Sequence, residues 1–190
     1  MSKSKIIIFL LFFWSLNVSA QKKYKDGFVL ETNFGNGING LWGGQIRRQV
    51  GLGSIHKIEF SLGAGIDWKG IVSTGVSYVP IAIQRFDFLL SFHYSRHFAG
   101  EYIFHDDNEN YSFQKVDYIN LTHTTRFFDK SRFVALQLTT GWSFPRNAAN
   151  VIHISGNTNR MAQLANGLDG GFLLSLGVSW LLGTGVLKNK

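Results

Sequence analysis

Ile58-Glu59-Phe60-Ser61-Leu62-Gly63-Ala64-Gly65-Ile66-Asp67-Trp68 alternates without a break: the even-numbered residues are apolar, and Glu59, Ser61, Gly63, Gly65 and Asp67 are small or polar. In an extended strand successive side chains point to opposite faces, so the two sets separate cleanly, whereas a helix would scatter both around its circumference. The rule returns near the end of the chain. There Phe172, Leu174, Leu176, Val178, Trp180 and Leu182 share one face, and Ser175, Gly177, Ser179 and Gly183 lie mainly on the other. Carried along the whole chain, this template predicts strands near 26–35, 40–50, 57–68, 71–79, 85–98, 113–127, 132–144 and 170–183. Arg47-Arg48 blurs the second of them and Asn120 the sixth.

Composition narrows the setting. The chain has 190 residues, 45% hydrophobic, 15% aromatic and 16% charged, with 21 Gly, 2 Pro and no Cys. A charged fraction well below the roughly 25% of soluble domains argues against a disordered or ordinary cytosolic protein. The missing Cys excludes a disulfide framework, thiolate zinc sites and cysteine catalysis. Residues 1–20 read as a secretory signal peptide: basic Lys3 and Lys5, an apolar run from Ile6 to Leu16, and Val18-Ser19-Ala20 as a small-residue cleavage site. Residues 21–190 then form one domain. Of 19 basic groups, 17 remain once Lys3 and Lys5 are removed, against 12 acidic ones, too mild an excess for a nucleic-acid footprint. This remainder has no run of 18 apolar residues, which excludes helical membrane spans there.

The connections fit a transmembrane barrel. Segments near 51–56, 80–84 and 128–131 are short and 99–112 and 145–169 are long, although 36–39 and 69–70 are short on the long-loop side. Short periplasmic turns and long extracellular loops are the pattern of outer-membrane barrels, with both termini periplasmic. Threading the strands up and down places Phe34, Trp42, Trp68, Phe98, Trp142 and Phe172 near the upper rim and Phe28, Tyr78, Phe86 and Trp180 near the lower one. Aromatic residues favour headgroup depth, so two such belts suit a bilayer. The opposite face carries Glu31, Arg47, Glu59, Asp67, Asp87 and His93, which would spoil a greasy ligand cavity but can pair with one another inside a narrow barrel. Aromatic position therefore favours a membrane barrel over a secreted soluble carrier.

Ser175, Gly177, Trp180 and Leu182 resemble the C-terminal signal by which outer-membrane barrels are recognised for insertion, although Gly183 to Lys190 follow it here. That resemblance implies the barrel assembly machinery as a partner. Together with the leader ending just before Gln21, the chain is similar to the small outer-membrane β-barrel proteins of Bacteroidota, a likeness of pattern that implies fold and location.

Several local patterns compete for a function. Gly35 to Gly40, GNGING, fits a dinucleotide fingerprint by letter, yet it joins two strands and opens no helix, so it reads as a hairpin loop. His93 and His97 lie about 13 Å apart on one strand face and cannot chelate one ion together; His93 is expected to partner Glu31, Glu59 or Asp87. Residues 101–117 carry clustered acids, for which a solvated loop is the default reading. Arg96, Arg146 and Arg160 fall near the outer rim, where guanidinium groups suit lipopolysaccharide phosphates. His153-Ile154-Ser155 followed by Asp169 resembles the motif of outer-membrane lipid A deacylases. The resemblance implies Ser155 as nucleophile, His153 as base and Asp169 as orienting acid. It departs from that family in Gly156 after the Ser, in a longer stretch to the acid, and in Asp instead of Glu.

The expectation is an all-β chain: a single eight-stranded antiparallel transmembrane β-barrel in the outer membrane of a Gram-negative cell envelope. No cofactor, metal or nucleic acid is expected. Outer-membrane lipid and lipopolysaccharide, the assembly machinery and an envelope or extracellular protein are the expected partners. The role is structural or interactive through loops 99–112 and 145–169, with a lipid A or phospholipid acyl hydrolase using Ser155 and His153 as the alternative.

Overall fold

The computed structural model describes residues 27–52, 56–67, 69–83, 85–104, 109–147, 151–155 and 169–182. In chain order the strands are β1 (Gly27–Gly37), β2 (Gly40–Leu52), β3 (His56–Ile66), β4 (Gly70–Ile83), β5 (Phe86–His97), β6 (Gly100–Phe104), β7 (Glu109–Phe113), β8 (Val116–Phe128), β9 (Val134–Pro145), β10 (Val151–Ser155) and β11 (Gly171–Leu182). Eight of them close into an antiparallel barrel in the order β1-β11-β9-β8-β5-β4-β3-β2. The seam joins the first strand to the last, from Phe28 opposite Leu182 to Asn36 opposite Leu174. Closure removes every sheet edge from the barrel.

Period two becomes inside and outside. Leu62, Leu136 and Leu176 face outward at 64%, 66% and 63% exposure, while Glu31, Glu59 and Asp87 face the lumen at 3%, 0% and 0%. A soluble carrier would need the reverse arrangement. This outer wall instead suits hydrocarbon, and the ionisable side chains are enclosed. The blurred strands obey the same parity, since Arg47 turns into the lumen, Arg48 faces out, and Asn120, Thr122, Thr124 and Arg126 share the inner side of β8.

Two expectations need correcting. The fourth strand runs to Ile83, beyond the predicted stop before Pro80, because the register against β5 shifts between Tyr78 and Ile81. Such a bulge accommodates a residue that has no N–H to give the ladder. The sixth barrel strand begins at Val116, and Phe113 belongs to β7. The presumed acidic loop holds β6 and β7, which join β10 in a separate three-stranded sheet ordered β10-β7-β6. The leader and the insertion-signal tail after Leu182 lie outside the described residues.

Candidate functional site in and above the lumen

The lumen is filled in three layers. At the short-turn end Val29, Phe128, Ala135 and Leu181 form one apolar cluster, with Val79, Ala82 and Leu89 in another. Above this floor lies an interlocked set of charges from four strands. Arg126 donates from Nη1 to Glu59 Oε1 at 2.8 Å and from Nη2 to Glu59 Oε2 at 2.9 Å and Glu31 Oε1 at 2.6 Å. Arg47 Nε donates to Glu31 Oε2 at 2.8 Å, and its Nη1 reaches Ser77 Oγ at 2.6 Å. The planar guanidinium fork suits such bidentate carboxylate contacts. Nearer the floor Asp87 takes Lys57 at 3.5 Å and Arg132 at 2.9 Å. Ser179, hydrogen-bonded to Gln137 at 2.6 Å, and Gln137, bonded to Asn33, extend the network around the wall.

The upper layer is built differently. Gly37 pairs with Gly40 across the two-residue turn Ile38-Asn39, and Gly40 adopts a φ of 77° that L side chains seldom tolerate. This turn folds inward: Ile38 and Asn39 are buried, Ser73 donates to Asn39 Oδ1, and Asn39 Nδ2 donates to the Gly44 carbonyl at 3.3 Å. Space for it comes from glycine. A Cβ on Gly65 would overlap the Asn39 carbonyl oxygen. Beside the turn remains a polar cavity of about 50 Å³ lined in part by Asp67, Ser95, His97, Tyr118, Asn120 and Ser143. It has room for a few water molecules.

Not every candidate joins the central network. Glu31, Arg47 and Glu59 interlock there and Asp87 anchors the adjoining pairs. Asp67 opens the β3–β4 turn and lines the upper cavity, eight residues or about 26 Å along the strand direction from Glu59. His93 meets Ser61 Oγ through Nδ1 at 3.3 Å instead of a carboxylate, because the glutamates are held by arginines and Asp87 lies at the floor. Its ring fits against Gly75, where a Cβ would collide with Nδ1. Arg126 and Lys57 went unnoticed in the sequence, although counting parity from Asn120 and from Glu59 puts both inside.

On the outer wall Phe34, Trp42, Phe98, Trp142 and Phe172 are exposed toward the long-loop end, and Trp142 meets Phe172 edge-on at 6.0 Å. Phe28 and Tyr78 are exposed toward the other end, where Phe86 and Trp180 are half-buried. Trp68 lies outside the described residues. Ser175 and Ser179 face the lumen and Gly177 shares their parity, whereas Trp180 and Leu182 face outward. The Arg96 guanidinium is already occupied: it holds Asp117 at 2.7 and 3.1 Å and the Tyr94 hydroxyl at 3.0 Å.

Above the barrel, β7 pairs with both β6 and β10 and buries Tyr111 and Phe113. Lys69 Nζ lies 3.9 Å from the Phe113 ring centroid. Burial pulls its pKa down to about 8, while the charge of Glu101 acts in the opposite direction. His153 and Ser155 belong to β10, opposite Tyr111 and Asn110 with an irregularity between them; their side chains lie outside the described residues. Asp169 is exposed just before β11. Among the described residues no three His, Asp or Glu side chains gather as a metal site.

No protein-family description and no curated protein matches the chain. Among solved structures it is similar to the crystal structure of a major outer membrane protein from Thermus thermophilus, with a TM-score of 0.51 and 11% identity over 83% of this chain and 99% of that one. The likeness is one of fold.

Proposed function

We propose that this outer-membrane barrel is a closed scaffold whose working surface is the sheet β10-β7-β6, presented outside the cell to an envelope or extracellular protein. The carrying observation is the filled lumen: an apolar floor, interlocked Arg47, Arg126, Glu31 and Glu59, and an inward-folded turn leave no continuous passage among the described residues. Eight strands enclose little more than their own side chains, which argues against a pore. Chain length outside the barrel instead builds paired strands above its mouth. The alternation of an apolar wall with aromatic belts supports the outer membrane as its location, and the leader at 1–20 supports export. Exposed Lys115 and Arg146 suit lipopolysaccharide phosphates, and Ser175, Gly177, Trp180 and Leu182 suit the assembly machinery. The pattern of the small Bacteroidota barrels agrees with this reading.

The test pairs two measurements. Purified protein in planar bilayers is expected to show no steady conductance, and a photo-crosslinker at exposed Ile152 in intact cells is expected to capture a discrete protein that one at Leu136 does not. Steady conductance, or lipid adducts alone at both positions, would overturn the reading. The acyl hydrolase alternative rests on the resemblance at His153, Ser155 and Asp169. It predicts fatty-acid release from lipid A, and equal release by Ser155→Ala would reject Ser155 as nucleophile.

A further inference from the structure

The outer wall carries a side chain that hydrocarbon cannot serve. Between the aromatic belts the outward positions among the described residues are aliphatic, aromatic, Gly or Thr, and His123 on β8 is the exception. Its depth follows from the register. Two residues toward the long-loop end Leu121 stands opposite Trp142 of the upper belt, and four residues the other way Phe127 stands opposite Phe86 of the lower one. The ring is half-buried and stacks on Phe88 at 5.3 Å between centroids. Its Nδ1 shares a hydrogen bond of 2.7 Å with Thr140 Oγ1 on β9. Nε2 has no hydrogen-bond partner among the described residues, and neither does the half-buried Thr125 hydroxyl, two residues along the same face.

Such a nitrogen is costly in a bilayer. Depending on the tautomer it is an unspent N–H or an unspent lone pair, and acyl chains offer it neither acceptor nor donor. Water and lipid headgroups lie at the level of the belts. The group that satisfies Nε2 must therefore be a polar side chain brought to the same depth by another protein surface. We infer that the wall formed by β5, β8 and β9 is an interface between two copies of this chain, centred on His123. Copies inserted in the same direction and related by a two-fold axis along the bilayer normal hold their His123 rings at equal depth by symmetry. Nε2–H of one ring then donates to the bare Nε2 of the other. Both tautomers are available, since the Thr140 hydroxyl can accept from Nδ1–H or donate to a bare Nδ1. The Thr125 hydroxyls flank the pair, and exposed Leu90, Phe92 and Leu121 surround it and exclude lipid. Any other protein would need a polar group of its own at this depth, whereas a second copy carries one.

The inference rests on the barrel spanning a bilayer, but it is independent of the role of the outer sheet. The chain has no Cys, so single cysteines on the wall, treated with a short bis-maleimide linker in isolated outer membranes, report contact between copies. Leu121→Cys is expected to give a linked product of twice the chain mass. Leu62→Cys on β3 should not, nor should Leu136→Cys, which lies four residues or about 13 Å along β9 from Thr140. Adding His123→Leu to Leu121→Cys should lower the linked fraction about tenfold, and adding His123→Gln, which keeps a donor and an acceptor, should preserve it. Leucine suits a lipid-facing site, so the His123→Leu barrel is expected to resist urea at least as well as wild type. No linked product from Leu121→Cys, equal linkage at Leu62→Cys, or unchanged linkage with His123→Leu would overturn the inference. So would a linked product whose second chain is another protein, or unfolding of the His123→Leu barrel, which would confine His123 to a role within its own chain. Failure of the wild-type barrel to enter vesicles would instead count against the membrane reading itself.

Discussion

The lower and upper halves of the lumen solve one packing problem in two ways. Below, long charged side chains from β1, β2, β3 and β8 fill the space and satisfy one another; above, glycines clear the wall and a folded turn takes the room. The lower solution is reciprocal. Each guanidinium serves two carboxylates or a carboxylate and a hydroxyl, so losing one member strands the rest as buried charges. The upper solution is steric, and its failure exposes a cavity without stranding a charge.

The sharpest way to break this contrast is Arg126→Met. It should cost about 3–5 kcal/mol by leaving Glu31 and Glu59 buried with Arg47 alone, read from urea unfolding of the barrel. Removing Glu59 as well, with Glu59→Met added, should recover most of the loss; no recovery would mean that the charges act separately. In the upper half Gly65→Val should cost about 1–3 kcal/mol through overpacking and expel the Ile38-Asn39 turn. Maleimide labelling of Asn39→Cys would show this, slow in the native background and fast with Gly65→Val.

Smaller effects belong outside the barrel. The depressed pKa of Lys69 means that the folded state holds fewer protons than the unfolded one between about 8 and the ordinary value of 10.5. Stability should therefore rise with pH across that window, and this contribution is lost as pH falls through 8. Lys69→Met should flatten the slope. Least of all, Asp129→Asn should loosen the β8–β9 turn, seen as faster hydrogen exchange at Arg132 and Val134. The pKa of Asp129 is held down chiefly by the Ser131 hydroxyl, so acid should produce the same loosening as the carboxylate protonates.

What the sequence reveals follows from the same division. Wherever one strand face meets lipid and the other the lumen, a single-residue slip would invert every side chain, so alternation specifies the strands strongly. That is why β3, β5, β9 and β11 are legible within a few residues. The signal fades where no such two-sided environment exists. The five-residue strands β6, β7 and β10 are too short for alternation to stand out, and β10 meets β7 across about 40 residues of chain, a pairing that no local pattern encodes. Pro80 misleads for a related reason, since the bulge that tolerates it depends on the neighbouring strand. In the lumen, the presence of charges is legible and their partners are not. Distances around a closed cylinder decide whether His93 finds Ser61 or a glutamate, and Arg126 hides beside Phe127 and Phe128 until parity is counted along all of β8.

The interlock has a consequence for how such a chain matures. Glu31, Arg47 and Glu59 lie within the first three strands and carry one uncompensated negative charge until β8, much later in the chain, brings Arg126. A half-curled sheet thus has reason to keep its concave side wet, and dehydration of the interior coincides with sealing of the seam. Closure becomes a late, concerted event, at which a premature join is penalised and the completed cylinder is difficult to reopen.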